Sequence, residues 1–525
     1  MQKKGYVFHS RADTEVLLNS YIEWGAECLN KFNGMWAFVI YDRIQKKIFA
    51  ARDRFGIKPF YYNYTNKIFT FSSEIPPILA GLSSPVKENE DAIFNYLVYN
   101  RTDYDSSTFF DKVYRLEKGH WFSIDLEKSF LHFERWYNLS DNMDHPIQSK
   151  EEFLELFGSS ISLRLRSDVP VGVCLSGGLD SSSILSMIIN EFGRRDINTF
   201  SSVYGSGYKE DGLNYINCYR ETLTNMNFVY PTANVLINDL EDFVSVHGEP
   251  VPTASPYAGY KVMQSAKGKA VVLLNGQGAD EYLAGYHYFF GFNFLELIRK
   301  LRLLKFLSET GSYLKKHHSL YGLYTSLYFM LPSFFQKQIR EISKNYLDRD
   351  FSERHKLDIG IPDIIYNSKS LQDSLLRHFE YKLEHLLKWE DRNSMASSIE
   401  ARVPFLDYRL VEGTISMPSD NFIHNGETKY ILRQSMKGIL PEKIRQRNDK
   451  IGFDTPMASW FKEPTFIGLI DSILQSREFQ SRGYLNTEKI RRYFQIQKAS
   501  GGPMSNEIWK WINLELWFRK FIDTN

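Results

Sequence analysis

The sequence predicts a two-domain protein of mixed fold, in which an α+β region rich in strands precedes an α/β region built on a parallel sheet with many helices. The chain has 525 residues, more than one hydrophobic core usually organises. Its first part contains short β-branched and aromatic runs separated by turn residues, a pattern typical of strands. From about residue 151, strand-like and helix-like segments alternate, which favours a parallel sheet covered on both faces.

The first region is expected to combine one helix with a set of short strands. The predicted strands are Met35–Tyr41, Lys47–Ala51, Pro59–Tyr64 and Lys67–Ser72. Asp13–Trp24 predicts a helix that packs on them. A polar stretch at residues 138–146 contains a proline and predicts a linker. We therefore place the first domain at residues 1–135, the linker at 136–150 and the second domain at 151–525.

The second region is expected to contain a parallel sheet with its ligand at the carboxyl ends of the strands. The predicted strands are Val169–Leu175, Thr199–Tyr204, Phe228–Tyr230 and Ala270–Leu274. From Tyr286 onward the pattern becomes mostly helical and strongly aromatic. Residues 319–335 are apolar but include Tyr, Ser and Pro, and they fall short of a membrane-spanning helix. We expect a buried or partner-facing helix pair there.

Composition indicates a soluble globular protein without a partner held by bulk charge. Hydrophobic residues make up 43% of the chain, charged residues 24%, and the net charge is +1. This balance gives no reason to expect nucleic acid or a membrane as a partner. The three cysteines, Cys28, Cys174 and Cys218, lack metal-ligand spacing and are too few for a disulfide framework. With no recognisable signal peptide, a cytoplasmic location is expected.

A glycine- and serine-rich run predicts a phosphate-binding turn between a strand and a helix. It reads Ser176, Gly177, Gly178, Leu179, Asp180, Ser181 and Ser182. Adjacent glycines let a backbone approach a ligand closely, and amides at a helix N-terminus attract anions. Asp180 adds a carboxylate for Mg²⁺ against phosphate oxygens. No Gly-Lys-Ser/Thr ending follows, which excludes the loop used in γ-phosphate transfer. An ordinary capped turn is the alternative.

A second glycine turn follows the last predicted strand of the sheet. It reads Asn275, Gly276, Gln277, Gly278, Ala279, Asp280 and Glu281. Since the carboxyl ends of parallel strands share one edge, this turn should face the same crevice as the first. Its acidic residues could bind metal or orient a base, although such turns are also common helix starts.

Two later segments are rich in charge. Residues 389–407 mix charge pairs with apolar anchors, which favours a buried ion-pair network with a scaffolding role over a catalytic one. Residues 425–433 place Lys429 just after a polar turn, near a predicted helix start. A lysine at such a position is usually solvated, but it can neutralise a phosphate as a point charge.

Together these motifs resemble the glutamine-using asparagine synthetases, and the first turn resembles the pyrophosphate loop of N-type ATP pyrophosphatases. The matching blocks are Ser176–Ser182, Gly276–Glu281, Asp391–Asp407, Gly426–Arg433 and Lys450–Phe453, with Asn33–Met35 and Ala51–Pro59 in the first region. The resemblance implies a partial N-terminal-nucleophile-type β sandwich, followed by a pyrophosphate-loop domain. It also implies that ATP and Mg²⁺ activate an aspartate side chain as an acyl-AMP, which ammonia then converts to asparagine.

The resemblance also implies roles for individual residues. The residues implied to hold ATP and its pyrophosphate are Leu175, Ser176, Gly177, Gly178, Leu179, Asp180, Ser181, Ser182, Ser202, Asn275 and Gly276. Asp180 and Asp280 would bind the metal, and Lys429 would contact the phosphates as pyrophosphate leaves. Some family members have Glu at the position of Gln277, which is tied to forming or using the acyl-AMP. A neutral amide cannot accept a proton, so a base role is lost there.

The first region departs from the family at its start. The family begins with a catalytic cysteine, whereas this sequence begins Met1-Gln2, and Asp13 takes the position that would bind the glutamine amine. Cys28 lies mid-chain and has no free α-amino group to assist it. We therefore expect a truncated glutaminase domain and activity with ammonia only.

Two other functions stay open on sequence grounds. The same chemistry could act on another carboxylate, because relatives of this fold form β-lactam, peptide or sugar amides and residues 286–370 could shape a larger pocket. The chain could instead be an inactive binding partner, against which the complete glycine turn and Lys429 argue. A homodimer is compatible with either.

Overall fold

Two antiparallel sheets and one parallel sheet organise this computed structural model. It describes residues 1–82, 84–128, 130–205, 207–208, 211–342, 344–355, 364–449, 455–500, 502 and 504–524. The strands are β1 (Ala37–Asp42), β2 (Lys47–Arg52), β3 (Tyr61–Thr65), β4 (Ile68–Ser72), β5 (Tyr114–Arg115), β6 (His120–Asp125), β7 (Phe130–Arg135), β8 (Val171–Cys174), β9 (Asn198–Ser202), β10 (Met226–Val229), β11 (Val272–Leu274) and β12 (Glu400–Arg402).

The two antiparallel sheets pack face to face in the first region. One has the order β1-β2-β6-β7 and the other β4-β3-β5. The ring of Phe122 on β6 lies 5.7 Å from that of Phe60, which precedes β3, and 5.2 Å from that of Phe69 on β4. Alternating inward aromatic side chains therefore form the core between the sheets. This arrangement confirms the predicted β-rich sandwich.

The parallel sheet has the order β10-β9-β8-β11-β12, and each neighbouring pair in it is parallel. Every residue of β8 is buried, as expected for a central strand covered on both faces. Gly172 is required there, because a Cβ would lie 2.8 Å from a Leu273 side-chain carbon and 2.9 Å from the Asn198 carbonyl oxygen. The strand order reverses between β8 and β11, so a crevice opens where their loops diverge.

Helices surround the sheets and form most of the second region. They are α1 (Asp13–Trp24), α2 (Ile75–Ala80), α3 (Glu90–Tyr99), α4 (Lys150–Leu165), α5 (Leu179–Asn190), α6 (Leu213–Ile216), α7 (Ala233–His247), α8 (Ser255–Ala266), α9 (Ala279–Tyr282), α10 (Phe289–Arg299), α11 (Leu303–His317), α12 (Tyr321–Met330), α13 (Ser333–Ile342), α14 (Arg349–Arg354), α15 (Leu371–Met395), α16 (Tyr408–Ile415), α17 (Tyr430–Ser435), α18 (Glu442–Arg445), α19 (Met457–Trp460), α20 (Pro464–Gln475), α21 (Arg477–Ser481), α22 (Thr487–Ser500) and α23 (Glu507–Phe521). None of these described helices combines the length and apolarity needed to cross a bilayer.

Most predicted elements occur within a few residues of their expected positions. Helix α1 has the predicted bounds, and all eight predicted strands form. The sequence reasoning missed β5, β6, β7 and β12. β7 is an edge strand with mostly exposed side chains, and β12 has the charged sequence Glu-Ala-Arg, so neither shows the apolar pattern on which strand prediction depends.

A buried ionic network joins the two regions along α15. Arg115 pairs with Asp103 at 2.5 Å and with Glu384 of α15 at 3.0 Å, and Arg52 pairs with Glu384 at 2.6 Å. Lys388 of α15 pairs with the same aspartate at 2.7 Å. All of these side chains are nearly inaccessible to solvent. Each charge therefore needs its partner to offset the loss of hydration.

Removing one member of this network should destabilise the protein strongly. Arg115→Met leaves the carboxylates of Asp103 and Glu384 buried with fewer partners, at an expected cost of about 3–5 kcal/mol in the free energy of unfolding. Arg349→Met is the control, because it removes an exposed pair with Glu353 and should change the free energy of unfolding little. Denaturant titration measures both. Equal costs for the two variants would show that the network is not a determinant of stability.

Candidate active site

A cleft lies where the loops after β8 and β11 meet. Its lining comes from both glycine turns and from segments much later in the chain. The lining residues are Ser176, Gly178, Leu179, Asp180, Ser181, Asn275, Gly276, Gln277, Gly278, Asp280, Gly285, His287, Thr428, Lys429, Arg433, Arg447, Asn448 and Asp449. The predicted shared crevice of the two turns is therefore present.

The two glycine turns touch each other directly. A Cβ on Gly276 would lie 2.9 Å from the Cβ of Asp180 and 3.0 Å from the amide nitrogen of Ser181. Only glycine permits this approach, because any side chain would press the second turn away from the start of α5. The close contact places the amides of α5 and the carboxylates of both turns at one cavity wall.

The first turn is shaped to present the N-terminus of α5 to the cleft. Gly177 has φ +73°, a left-handed conformation that favours glycine. The Ser181 hydroxyl accepts a hydrogen bond from the amide of Ser176 at 3.2 Å, which closes the turn over the first residues of the helix. The start of this 12-residue helix therefore faces the cavity, where its free amides favour an anion.

Lys429 joins the two turns electrostatically. Its Nζ lies 2.5 Å from a carboxylate oxygen of Asp180 and 2.6 Å from one of Asp280. Burial alone would lower the pKa of Lys429, but the two carboxylates outweigh that effect and raise the pKa above its ordinary value. The lysine is therefore charged at neutral pH. These three groups together carry one net negative charge.

The backbone at Lys429 is held in an uncommon conformation. Its φ of +53° is left-handed, which costs a residue with a side chain about 1–3 kcal/mol. The amide of Lys429 donates to the carbonyl of Leu283 at 3.1 Å. On the preceding turn, the amides of Asn425 and Gly426 donate to the Glu309 carboxylate at 2.9 and 3.1 Å. These bonds fix the lysine over the cleft.

Several lining residues were given no role from the sequence, and two of them, Arg433 and Arg447, are linked by hydrogen bonds. Arg433 donates to the carbonyl of Arg447 at 2.8 Å, and Arg447 donates to the carbonyl of Gly177 at 2.8 Å. The guanidinium of Arg447 also lies 3.9 Å from the ring centroid of Tyr215. Arg447 therefore holds the first glycine turn in place. No short motif surrounds this arginine, so its role depends on tertiary contact.

Some predicted binding residues lie outside the cavity wall. Leu175 precedes the first turn, Gly177 and Ser182 belong to it, and all three are buried. Ser202 is buried at the end of β9. Asp13 is exposed at the first residue of α1 and does not line the cleft. The predicted block Lys450–Phe453 lies outside the described residues. The roles assigned to these residues stay predictions.

Asn275 is supported by a carboxyl group on α15. Its side-chain amide donates to Glu390 at 2.5 Å. Desolvation raises the pKa of Glu390 to about 7, and the neighbouring charge of Asp391 acts in the same direction. Asp391 in turn pairs with Lys58 of the first region at 3.2 Å and with Arg392 at 3.0 Å. The predicted buried ion-pair network of residues 389–407 is thereby confirmed.

The carboxylates of Asp180 and Asp280 form a donor set that suits Mg²⁺. Nucleotide sites usually bind this ion through one or two carboxylates together with phosphate oxygens and water. Oxygen donors from two turns face one cavity here. Among the described residues there is no cluster of three or more His, Cys, Asp or Glu that would bind a metal without a nucleotide.

Comparison with known proteins matches both regions of the chain to known families. Residues 152–519 match the asparagine synthase family, and residues 1–137 match the glutamine amidotransferase domain. Glutamine-hydrolyzing asparagine synthetase 1 of Bacillus subtilis (strain 168) is 27% identical and covers 98% of this chain and 82% of its own. Asparagine synthetase 3 of that organism is 28% identical, covering 85% and 71%.

A solved structure of an allosteric regulatory enzyme of purine biosynthesis aligns with 44% of this chain and 56% of its own, at 13% identity and a TM-score of 0.20. That score is too low to support a shared fold. The fold, the site and the family matches instead define a carbon–nitrogen ligase with an amidotransferase domain. The chain belongs to the asparagine synthase family, whose members use ATP.

The space at Gly285 provides a test of the site. A Cβ there would overlap the Asp280 carboxylate and the Lys429 side chain. Gly285→Ala should therefore separate the ion pair and lower ATP consumption at least tenfold with little change in the unfolding temperature. Gly468→Ala is the control, because a Cβ at that position meets nothing within 4 Å. Full activity in Gly285→Ala would contradict the assignment of this cleft.

Proposed function

We propose that this protein activates the side-chain carboxylate of aspartate with ATP and converts it to asparagine with ammonia. The carboxylate oxygen attacks the α-phosphorus, the bond to the β-phosphate breaks, and pyrophosphate leaves. Ammonia then attacks the acyl carbon, loses a proton and displaces AMP. The observation that carries this proposal is the contact of Lys429 with Asp180 and Asp280 where two glycine turns meet, in a chain of the asparagine synthase family.

The residues at the cleft have complementary roles in the first step. The amides at the start of α5 and the hydroxyls of Ser176 and Ser181 bind the phosphates whose negative charge grows as pyrophosphate leaves. Lys429 is charged, so it can stabilise that charge as it develops. Asp180 and Asp280 would hold Mg²⁺, which supplies positive charge to the phosphate oxygens when bound.

Gln277 is proposed to orient the reacting groups through hydrogen bonds and not to transfer a proton. It lines the cleft beside Gly276, and its side-chain amide can donate and accept hydrogen bonds. It cannot take the proton that ammonia loses, so that proton must pass to another group or to water. The reaction should therefore depend on pH through ammonia itself more than through residue 277.

Free ammonia is the proposed nitrogen source for this site. Burial raises the pKa of the Cys28 thiol to about 11, so this side chain is not a thiolate at neutral pH. Cys28 therefore does not supply a nucleophile for glutamine hydrolysis. Among the described residues, every charged side chain that lines the synthetase cleft belongs to the second region.

Aspartate is preferred over a larger acceptor because the aromatic segment does not widen the cleft. Within the described part of residues 286–370, His287 is the one residue that lines it. Tyr286 and Phe290 belong instead to the core around α10. The aromatic residues of this segment therefore contribute to packing. Apart from His287, no described residue of the segment extends the cleft to make room for a larger carboxylate.

Pyrophosphate release with a panel of acids tests the proposal. Protein given ATP, Mg²⁺, ammonium and aspartate should release pyrophosphate and AMP and form asparagine, and other carboxylates should give at least tenfold less. Lys429→Met should reduce the rate at least 100-fold, since it removes a charge that acts in the transition state. Lys437→Met is the control, because that lysine is exposed on the surface after α17.

Three results would overturn this assignment. Absence of pyrophosphate release with aspartate and ammonium would reject it. Faster pyrophosphate release with another carboxylate would show that aspartate is not the preferred substrate, while the reaction type would stay the same. Unchanged turnover in Lys429→Met would remove the lysine from the mechanism and favour a binding role.

A further inference from the structure

Helices α11, α12 and α13 expose an apolar surface. We define it by Leu304, Leu307, Tyr324, Leu327, Phe334 and Phe335, each of which is more than half exposed. The opposite sides of α11 and α12 are packed into the protein, where Tyr313, Gly322 and Phe329 are buried. The helices therefore do not need these outer side chains for their own packing, and exposed apolar surfaces of this kind mark contact sites.

The segment from Leu297 to Arg340 is strongly positive, although the net charge of the whole chain is only +1. Between Leu297 and Arg340 there are eight Lys or Arg residues and one acidic residue, Glu309. Glu309 is 2% exposed and accepts backbone hydrogen bonds, so it does not offset the charge at the surface. Arg302 and Lys315 are exposed and have no ion-pair partner among the described residues.

Part of the positive charge is neutralised by other segments. Lys305 pairs with Asp420, and Lys316 pairs with Glu427 at 2.8 Å. Lys300 pairs with Glu296 at 2.6 Å. A positive balance nevertheless remains next to the apolar surface. Its partner must therefore be both apolar and negatively charged.

We propose that this apolar surface binds an anionic phospholipid bilayer, with the helices lying in the headgroup region. Apolar side chains flanked by Lys and Arg are the chemistry by which helices insert shallowly into such an interface. The negative surface potential attracts each nearby basic residue. Because the helices lie on the bilayer, no spanning segment is required. This proposal replaces the expectation from net charge alone that a membrane is not a partner.

A second copy of the chain is a weaker candidate for this surface. A symmetric dimer places the same patch of each subunit against its copy. The basic residues of one subunit would then face those of the other, and this repulsion opposes association. The exposed side of the helices at residues 319–335 is the side that this proposal assigns to lipid.

The bilayer contact lies on a helix that also supports the active site. Glu309 and His317 of α11 bond to the backbone of the turn before Lys429, and the His317 contact to the carbonyl oxygen of Gly426 is 2.8 Å. Binding through α11 would therefore place the active-site turn close to the lipid headgroups. The proposed ligase chemistry does not require this contact, so either proposal can fail alone.

Vesicle flotation of the full chain tests the proposal. Vesicles containing phosphatidylglycerol should bring the protein to the top of the gradient, and vesicles of phosphatidylcholine alone should not. Raising the salt concentration should weaken binding, because the attraction to the headgroups is screened. Leu304→Asp combined with Leu327→Asp should lower the fraction bound at least tenfold, since both changes place a carboxylate against the anionic surface.

Two further variants separate lipid binding from misfolding. Ile44→Asp is the matched control, because it replaces an exposed apolar side chain in the turn between β1 and β2, which is not part of the apolar surface, and it should bind as the wild type does. Arg302→Gln with Lys315→Gln should weaken binding roughly tenfold or more without changing an apolar residue. All variants should keep the wild-type unfolding temperature.

Three outcomes would overturn the proposal. The first is failure of the wild type to float with phosphatidylglycerol vesicles. The second is binding at the wild-type level by both the apolar variant and the charge variant. The third is a wild-type dimer in sedimentation that the Leu304 and Leu327 substitutions dissociate, which would assign the surface to a second copy.

Discussion

The contact of Lys429 with Asp180 and Asp280 is the interaction on which the active site depends. The lysine and Asp180 are 249 residues apart in the chain, yet their charged atoms are in contact. Charged groups removed from water need partners, so this contact requires three loops to converge at one edge of the parallel sheet. Gly276 and Gly285 make the convergence possible, because neither position has space for a Cβ. The anion-binding turn, the acidic residues and the cation are thereby held in one cleft.

The sequence predicted the parts of this fold that have a local signal. Apolar strands, amphipathic helices and glycine turns are visible in a short window, and so the two turns and Lys429 were identified as site residues. Arg447 was missed because it acts through the carbonyl of Gly177, a contact that no local pattern encodes. His287 was missed because it stands in an aromatic segment whose other members are largely core. β12 was missed because its charged side chains are stabilised by the tertiary environment.

Charge is distributed unevenly in this protein although its total is nearly balanced. The buried pairs Arg115–Glu384 and Lys388–Asp103 join the amidotransferase region to the synthetase region. The continuation of that network through Lys58 and Asp391 reaches Glu390, which holds Asn275 at the cleft wall. A positive segment that includes α11 adjoins exposed apolar side chains. The same residue types thus serve stability, ligand binding and surface recognition, depending on burial and partners.

The most direct test of the central claim is calorimetric titration of the protein with a nonhydrolysable ATP analogue, with and without Mg²⁺. One analogue should bind per chain, and omission of Mg²⁺ should weaken binding at least tenfold. The double substitution Asp180→Asn and Asp280→Asn should abolish the Mg²⁺ dependence while the protein stays folded. Absence of binding by the wild type, or the same Mg²⁺ dependence in the double variant, would contradict the account.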